Sequence, residues 1–212
     1  MKILGIDEAG RGPVIGSLFM CGYLIEEKKV PELRKIGVKD SKLLSRSRRE
    51  QIFEKIKTLS DDFVILKTSA KEIDQLRTVS NLNKHEISRM REMIKLLNPD
   101  KVVIDALESN EKKFHSKISA GFGGLEIVAE NFADKNYLEV GAASICAKVN
   151  RDREIEEMHK VHGNFGSGYP SDPVTITFLK DWIKENKVPD CVRKSWFTVY
   201  ALKNIQTKLD RW

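Results

Sequence analysis

Four acidic side chains end or follow apolar segments, and together they could hold metal ions. They are Asp7 and Glu8 at the end of the first apolar run, Asp105 at the end of a second, and Asp134 shortly after a third. Carboxylates brought close together repel one another or take up protons, whereas Mg²⁺ and Mn²⁺ prefer oxygen ligands of this kind. Two such ions about 3.5 to 4 Å apart can activate water and stabilise the leaving oxygen of a phosphodiester. The acids therefore predict metal-assisted hydrolysis of a nucleic-acid backbone.

Short apolar runs predict the strands that would position these acids. Residues 2–7 and 17–25 read as strands joined by a glycine-rich turn, and residues 63–66 read as a third strand, with short connections that favour antiparallel pairing. Residues 101–105 and 125–129 read as further strands. A parallel central pair would bring the acids to one edge of the sheet, although Asp7 and Glu8 begin on opposite faces of their strand and need a twist there.

Helical spacing and capping signals fill the remainder of the chain. Ser47 and Glu50 have capping-box spacing before a basic amphipathic helix that reaches Leu59. Further helices are predicted at about residues 80–97, in a long segment after Asp134 that includes residues 142–149, and near residues 173–186 and 195–210, with a Gly- and Pro-rich loop at residues 165–173. The length of 212 residues suits one catalytic domain, residues 1–172, with a helical C-terminal extension, residues 173–212, packed on it.

The composition is that of a charged globular protein, and the distribution of its charge predicts a polyanionic ligand. The net charge is +6, and the excess is concentrated in residues 28–57, with net +7, and residues 183–212, with net +4. No apolar run reaches 18 residues and no signal-type segment opens the chain, so we expect a cytoplasmic monomer that does not bind membranes.

Cysteine and histidine spacing argues against soft-metal sites and disulfides. The cysteines, Cys21, Cys146 and Cys191, are odd in number and far apart, and the four histidines form no metal-binding pattern. We expect reduced cysteines and oxygen-ligated metal.

Two other functions compete with a nuclease. A strand followed by Gly10 and Gly12 suggests a dinucleotide-binding turn, but Ile15 stands where a third glycine belongs and a strand follows where a helix should begin. A non-catalytic nucleic-acid-binding module would suit the charge but leaves the acids without a purpose. A nuclease assay with and without magnesium distinguishes the nuclease from the non-catalytic module.

Five ordered blocks resemble ribonuclease HII in its archaeal form along nearly the whole chain. They are Gly5-Ile6-Asp7-Glu8-Ala9-Gly10-Arg11-Gly12-Pro13, Asp40-Ser41-Lys42 with the later Asp105, Ala133-Asp134 with residues 142–149, residues 166–173, and Val192-Arg193 with Trp196. The resemblance implies an α/β fold with a ribonuclease H-like mixed five-stranded sheet flanked by helices. It also implies an endonuclease that cuts the RNA strand of RNA/DNA hybrids and ribonucleotides embedded in duplex DNA, leaving 5′-phosphate and 3′-hydroxyl ends.

The resemblance also assigns roles to residues. Asp7, Glu8, Asp105 and Asp134 would be the catalytic acids that bind Mg²⁺ or Mn²⁺. The glycine turn, Gly10-Arg11-Gly12, would read the ribose 2′-hydroxyl, Tyr169 would stack on the next sugar, and Ser41 and Lys42 would contact the phosphate backbone. Weaker candidates for phosphate contact are Arg11, Lys148, Arg193 and Lys194. The chain departs from the family pattern at Leu43, Asn131, Phe132 and Gly141.

Overall fold

The computed structural model describes residues 1–38 and 44–209. Ser41 and Lys42, predicted to contact phosphate, and Leu43 lie outside the described residues.

A mixed five-stranded sheet carries the predicted acids. The strands are β1 (Lys2–Ala9), β2 (Leu18–Glu26), β3 (Asp62–Thr68), β4 (Lys101–Asp105) and β5 (Glu126–Glu130). Their order is β3-β2-β1-β4-β5, with β1 antiparallel to β2 and parallel to β4, and β4 parallel to β5. The predicted sheet and its parallel central pair are confirmed.

Along the chain, helices lie between several of the strands and follow the last one. They are α1 (Val30–Ile36), α2 (Arg46–Leu59), α3 (Ala70–Val79), α4 (Leu82–Leu97), α5 (Glu111–Ser119), α6 (Ala133–Asn136), α7 (Leu138–His162), α8 (Pro173–Lys184) and α9 (Phe197–Leu209). No helix of the described residues is long and apolar enough to cross a membrane.

The chain divides into two compact units. The first comprises residues 1–9, 19–66 and 83–150, and the second comprises residues 10–18, 67–82 and 151–212. The predicted domain boundary after residue 172 stays a prediction.

The first unit buries apolar side chains of the sheet against helices. One core cluster joins β2, α2 and the small side chains of α7, among them Ala142, Ala143 and Ala147. Close approach also explains Gly5 in β1, because a Cβ there would lie 2.3 Å from the carbonyl carbon of Glu139. Small residues on both elements therefore bring α7 against the strand that carries Asp7.

The second unit has a core of its own. Val14 and Ile15 pack with Phe165, Leu179 and Val192. Backbone hydrogen bonds reinforce this cluster, since the amides of Val14 and Ile15 both donate to the carbonyl of Gly168, at 2.8 and 3.2 Å. The predicted loop of residues 165–173 is thus held firmly by the segment that follows the glycine turn.

Several local predictions were incomplete or wrong. Ser45, not Ser47, caps α2, and its hydroxyl accepts a hydrogen bond from the Arg48 amide at 3.2 Å. Helices α1, α3 and α5 and the short helix α6 were not predicted. Helix α3 begins with a complete capping box between Ser69 and Glu72, a spacing that is itself a signal for the start of a helix.

Candidate active site

Two of the predicted acids are neighbours at the carboxyl end of the parallel strands. Ile6 is the partner of Ile104 in the ladder between β1 and β4. Asp7 and Asp105 follow this pair directly, so both side chains leave the same face of adjacent strands. Parallel strands lie about 4.8 Å apart. The two carboxylates therefore share one edge of the sheet.

A hydrogen bond connects Asp105 to the segment that carries Asp134. The Ala133 amide, at the start of α6, donates to Oδ1 of Asp105 at 3.0 Å. Asp134 is the next residue and is buried, with 4% of its surface exposed. We call Asp7, Asp105 and Asp134 the acidic edge.

The three acids also affect one another's ionisation. The pKa of Asp7 is raised to about 7, first because the carboxyl is buried and further because the charges of Asp105 and Asp134 oppose its ionisation. Hydrogen bonds from the Ser144 hydroxyl and the Glu8 amide act in the opposite direction. A cation between these groups would remove the conflict.

Glu8 follows Asp7 on β1. The antiparallel ladder continues regularly through Asp7 with Cys21 and Glu8 with Met20. Successive side chains of a strand point to opposite faces, so the Glu8 side chain leaves β1 on the face opposite to Asp7. The predicted part of Glu8 in the metal site stays a prediction.

The side chains of the acidic edge suit a hard divalent cation by type, although their spacing does not by itself define an ion position. In residues 1–38 and 44–209, no three His, Cys, Asp or Glu side chains are grouped around a single ion position. Asp7, Asp105 and Asp134 offer carboxylate oxygens only, which favours Mg²⁺ or Mn²⁺ over softer metals.

In the second unit, the glycine turn is held from behind by a buried arginine. Arg193 is fully buried, and its guanidinium donates to the carbonyls of Gly16 and Arg11, both at 2.9 Å, and to that of Gly10. Burial lowers the pKa of Arg193 to about 10, which leaves it charged at neutral pH. The indole of Trp196 donates to the Gly12 carbonyl at 3.3 Å.

These contacts fix the direction of the turn's amides. A trans peptide points its C=O and N–H in opposite directions, and the structure contains no cis peptide among its described residues. With the carbonyls of Gly10 and Arg11 directed at Arg193, the amides of Arg11 and Gly12 point the other way. The turn therefore presents two backbone donors on the side away from Arg193, suited to a ligand oxygen.

Tyr169 lies beside the glycine turn. A Cβ at Gly12 would be 3.7 Å from Cε1 of the Tyr169 ring. The guanidinium of Arg151, itself 3% exposed, lies 4.9 Å from the ring centroid and donates to the Ser167 carbonyl at 2.8 Å. The stacking of Tyr169 on a sugar stays a prediction. Sequence reasoning missed Arg151, which supports one face of the ring.

One weaker prediction is wrong. Arg193 does not contact phosphate from the surface, because its guanidinium is buried and occupied by backbone carbonyls. In the sequence, the sign of a role for Arg193 was its place in the segment with Val192 and Trp196 that resembles the family. The phosphate roles of Arg11, Lys148 and Lys194 stay predictions.

Cysteine state agrees with the sequence. Cys21 and Cys146 are buried and Cys191 is half-buried, and all three are free thiols.

Comparisons with known proteins point to one family. The sequence profile of the family described as Ribonuclease HII matches residues 4–199. The chain is 44% identical to a ribonuclease HII of Methanothrix thermoacetophila, over 96% of this chain and 98% of that one. It is 46% identical to a ribonuclease HII of Methanothermobacter thermautotrophicus, over 96% and 100% of the two chains.

Solved structures agree. The crystal structure of ribonuclease H2 from Pyrococcus horikoshii superposes with a TM-score of 0.89 at 41% identity, covering 98% of this chain and 100% of that one.

Proposed function

Because the chain belongs to the ribonuclease HII family, we propose that it cuts RNA/DNA hybrids, including single ribonucleotides embedded in duplex DNA, with divalent ions held by its acids. Family membership makes it a ribonuclease H-type hydrolase that acts as an endonuclease on RNA/DNA hybrids. The metal, the embedded-ribonucleotide substrate and the 5′-phosphate and 3′-hydroxyl products are the finer points of the proposal.

The acids would hold Mg²⁺ or Mn²⁺. Asp7, Glu8, Asp105 and Asp134 would supply the carboxylate oxygens. A bound ion of this kind activates water and stabilises the leaving oxygen of the phosphodiester. Ser144 and the Glu8 amide hold the Asp7 carboxylate in place through their hydrogen bonds.

The glycine turn would distinguish RNA from DNA. The 2′-hydroxyl is the group that separates the two nucleic acids, and it can both donate and accept a hydrogen bond. The outward amides of Arg11 and Gly12 would donate to an oxygen of the ribonucleotide, while Tyr169 would stack on the neighbouring sugar. Ser41 and Lys42, outside the described residues, would contact phosphates.

The observation that carries the catalytic proposal is the meeting of the acids at one edge of the sheet. Asp7 and Asp105 end neighbouring parallel strands, and the amide before Asp134 donates to Asp105. Burial and two neighbouring carboxylates raise the pKa of Asp7 to about 7, and a folded protein retains such a conflict most readily where a cation relieves it. A binding module without catalysis would gain nothing from the arrangement.

A labelled duplex tests the proposal. A DNA duplex with one ribonucleotide is incubated with the protein in Mg²⁺, in Mn²⁺ and in EDTA, with an all-DNA duplex as control, and the product ends are mapped. We expect a single metal-dependent cut at the ribonucleotide and none in DNA. Binding without any cut in either metal would favour the non-catalytic module.

A further inference from the structure

Phe132 is an exposed aromatic residue in an unfavourable backbone conformation. Its φ and ψ are 62° and 32°, in the left-handed region, and 61% of its surface is exposed. For a bulky residue this conformation is a true outlier, and strain of this kind costs about 1 to 3 kcal/mol. Glycine or asparagine would occupy the position more cheaply.

Carboxylates on both sides hold Phe132 in this conformation. Before it, the amide and the side-chain nitrogen of Asn131 both donate to Oε1 of Glu111 at 2.8 Å, and these bonds lower the pKa of Glu111. After it, the amide of Ala133 donates to Asp105 of the acidic edge at 3.0 Å. The residue between the two clamped amides has little freedom, so the ring is directed into solvent.

A lysine ammonium lies against the ring. The ammonium of Lys135 lies 4.9 Å from the ring centroid, and its side chain is exposed. Exposed Lys112 and Lys113 follow Glu111 in the first turn of α5, the same turn that holds Asn131. An exposed aromatic ring with an ammonium group against its face suits a polyanion with planar bases better than an apolar protein surface.

We infer that Phe132 and Lys135 form a substrate contact beside the acidic edge, in which the ring packs on a sugar or base of the nucleic acid and the ammonium contacts a phosphate. The inference rests on the proposed function, since it takes the RNA/DNA hybrid as the ligand. Phe132 lies two residues before Asp134 in the chain. A nucleic-acid strand bound at the acids would therefore pass close to the ring. The strained backbone is retained because it presents the ring at this position.

Strain and binding make opposite demands, which gives a sharp test. Phe132→Asn relieves the left-handed strain, so the midpoint of thermal unfolding should stay the same or rise. Loss of a stacking contact should at the same time raise KM for a hybrid by roughly 5- to 100-fold, the range expected for one aromatic–base contact, with kcat little changed. Phe132→Tyr should retain the wild-type KM, and Lys135→Gln should raise it less.

Direct binding and matched controls complete the experiment. Fluorescence anisotropy with a labelled hybrid, in an Asp105→Asn background, measures Kd without cleavage. Leu96→Ala changes another exposed apolar side chain of the same unit, 66% exposed, and should alter neither Kd nor KM. Unchanged Kd and KM in Phe132→Asn would overturn the inference and leave the ring to a protein partner. If wild-type protein neither binds nor cuts the hybrid, the proposed function itself fails.

Discussion

The amide of Ala133 donates a hydrogen bond of 3.0 Å to Oδ1 of Asp105, so one carboxylate of the acidic edge also fixes the residue before Asp134. Asp105 ends β4 and Ala133 begins α6, elements that are 28 residues apart in the chain. Removing the charge of Asp105 and removing its hydrogen-bond acceptor are therefore separate changes.

Asp105→Asn should nearly abolish cleavage while the fold remains. The amide oxygen of asparagine can still accept from Ala133, whereas the negative charge needed for a cation is lost. Asp105→Ala should abolish cleavage and also lower the free energy of unfolding by about 1 to 3 kcal/mol, because a part-buried amide loses its partner. Steady-state cleavage and urea unfolding measure the two effects, and wild-type rates in the asparagine variant would remove Asp105 from the mechanism.

The pH dependence of stability should depend on Asp7 when metal is absent. Its pKa in the folded protein, about 7, lies above the ordinary value of 3.8. Between these values the folded state binds more protons than the unfolded chain, so the free energy of unfolding falls as pH rises. Asp7→Asn lacks this titration. As pH rises from 4.5 to 8, the free energy of unfolding of the variant should therefore increase relative to that of the wild type.

Urea unfolding in EDTA at both pH values measures the difference between the two proteins. Parallel pH profiles for wild type and Asp7→Asn would contradict the assigned pKa. Added Mg²⁺ at pH 8 should stabilise the wild type and leave the variant nearly unchanged.

The sheet and the acidic edge could be predicted because the signal is local. An apolar run that ends in an acid, as at Asp105, identifies both the strand and the end at which the side chain lies. The parallel order of β1, β4 and β5 then brings Asp7 and Asp105 together with no further information.

Arg193 and Phe132 could not be predicted in this way. The role of Arg193 depends on carbonyls more than 170 residues away in the chain, at Gly10 and Gly16. The conformation of Phe132 is imposed by carboxylates of Glu111 and Asp105, which no local propensity encodes. In both cases tertiary contacts override what the residue type alone favours.

Gly12→Ala should lower cleavage without lowering stability, because the added methyl group occupies space that the ligand needs and the fold does not. Gly12 is exposed, its φ lies outside the left-handed region, and an added Cβ would meet only Tyr169 at an ordinary 3.7 Å. We expect stability within about 1 kcal/mol of wild type. Cleavage at an embedded ribonucleotide should fall roughly 10-fold or more, equivalent to about 1.4 kcal/mol of the barrier, because the methyl group separates the backbone from the ribose.

Gly10→Ala is the structural contrast. At φ +90° its Cβ would lie 2.5 Å from the Ser17 carbonyl oxygen, so this variant should lose stability as well as activity. Thermal unfolding and kcat/KM on one ribonucleotide-containing duplex compare the two variants. Full activity in Gly12→Ala would show that nothing approaches the turn at that atom.

Arg193→Lys should uncouple the glycine turn from its support while the charge remains. A single ammonium cannot replace a planar guanidinium that reaches the carbonyls of Gly10, Arg11 and Gly16. Loss of two such bonds should cost roughly 3 kcal/mol of unfolding free energy. With the outward amides no longer fixed, kcat/KM at an embedded ribonucleotide should fall further than kcat/KM on a continuous hybrid, which offers many registers. Lys160→Ala changes an exposed lysine of the same unit that pairs with Glu157, and it serves as the control. An equal fall on both substrates would mean that Arg193 supports the fold without directing the amides.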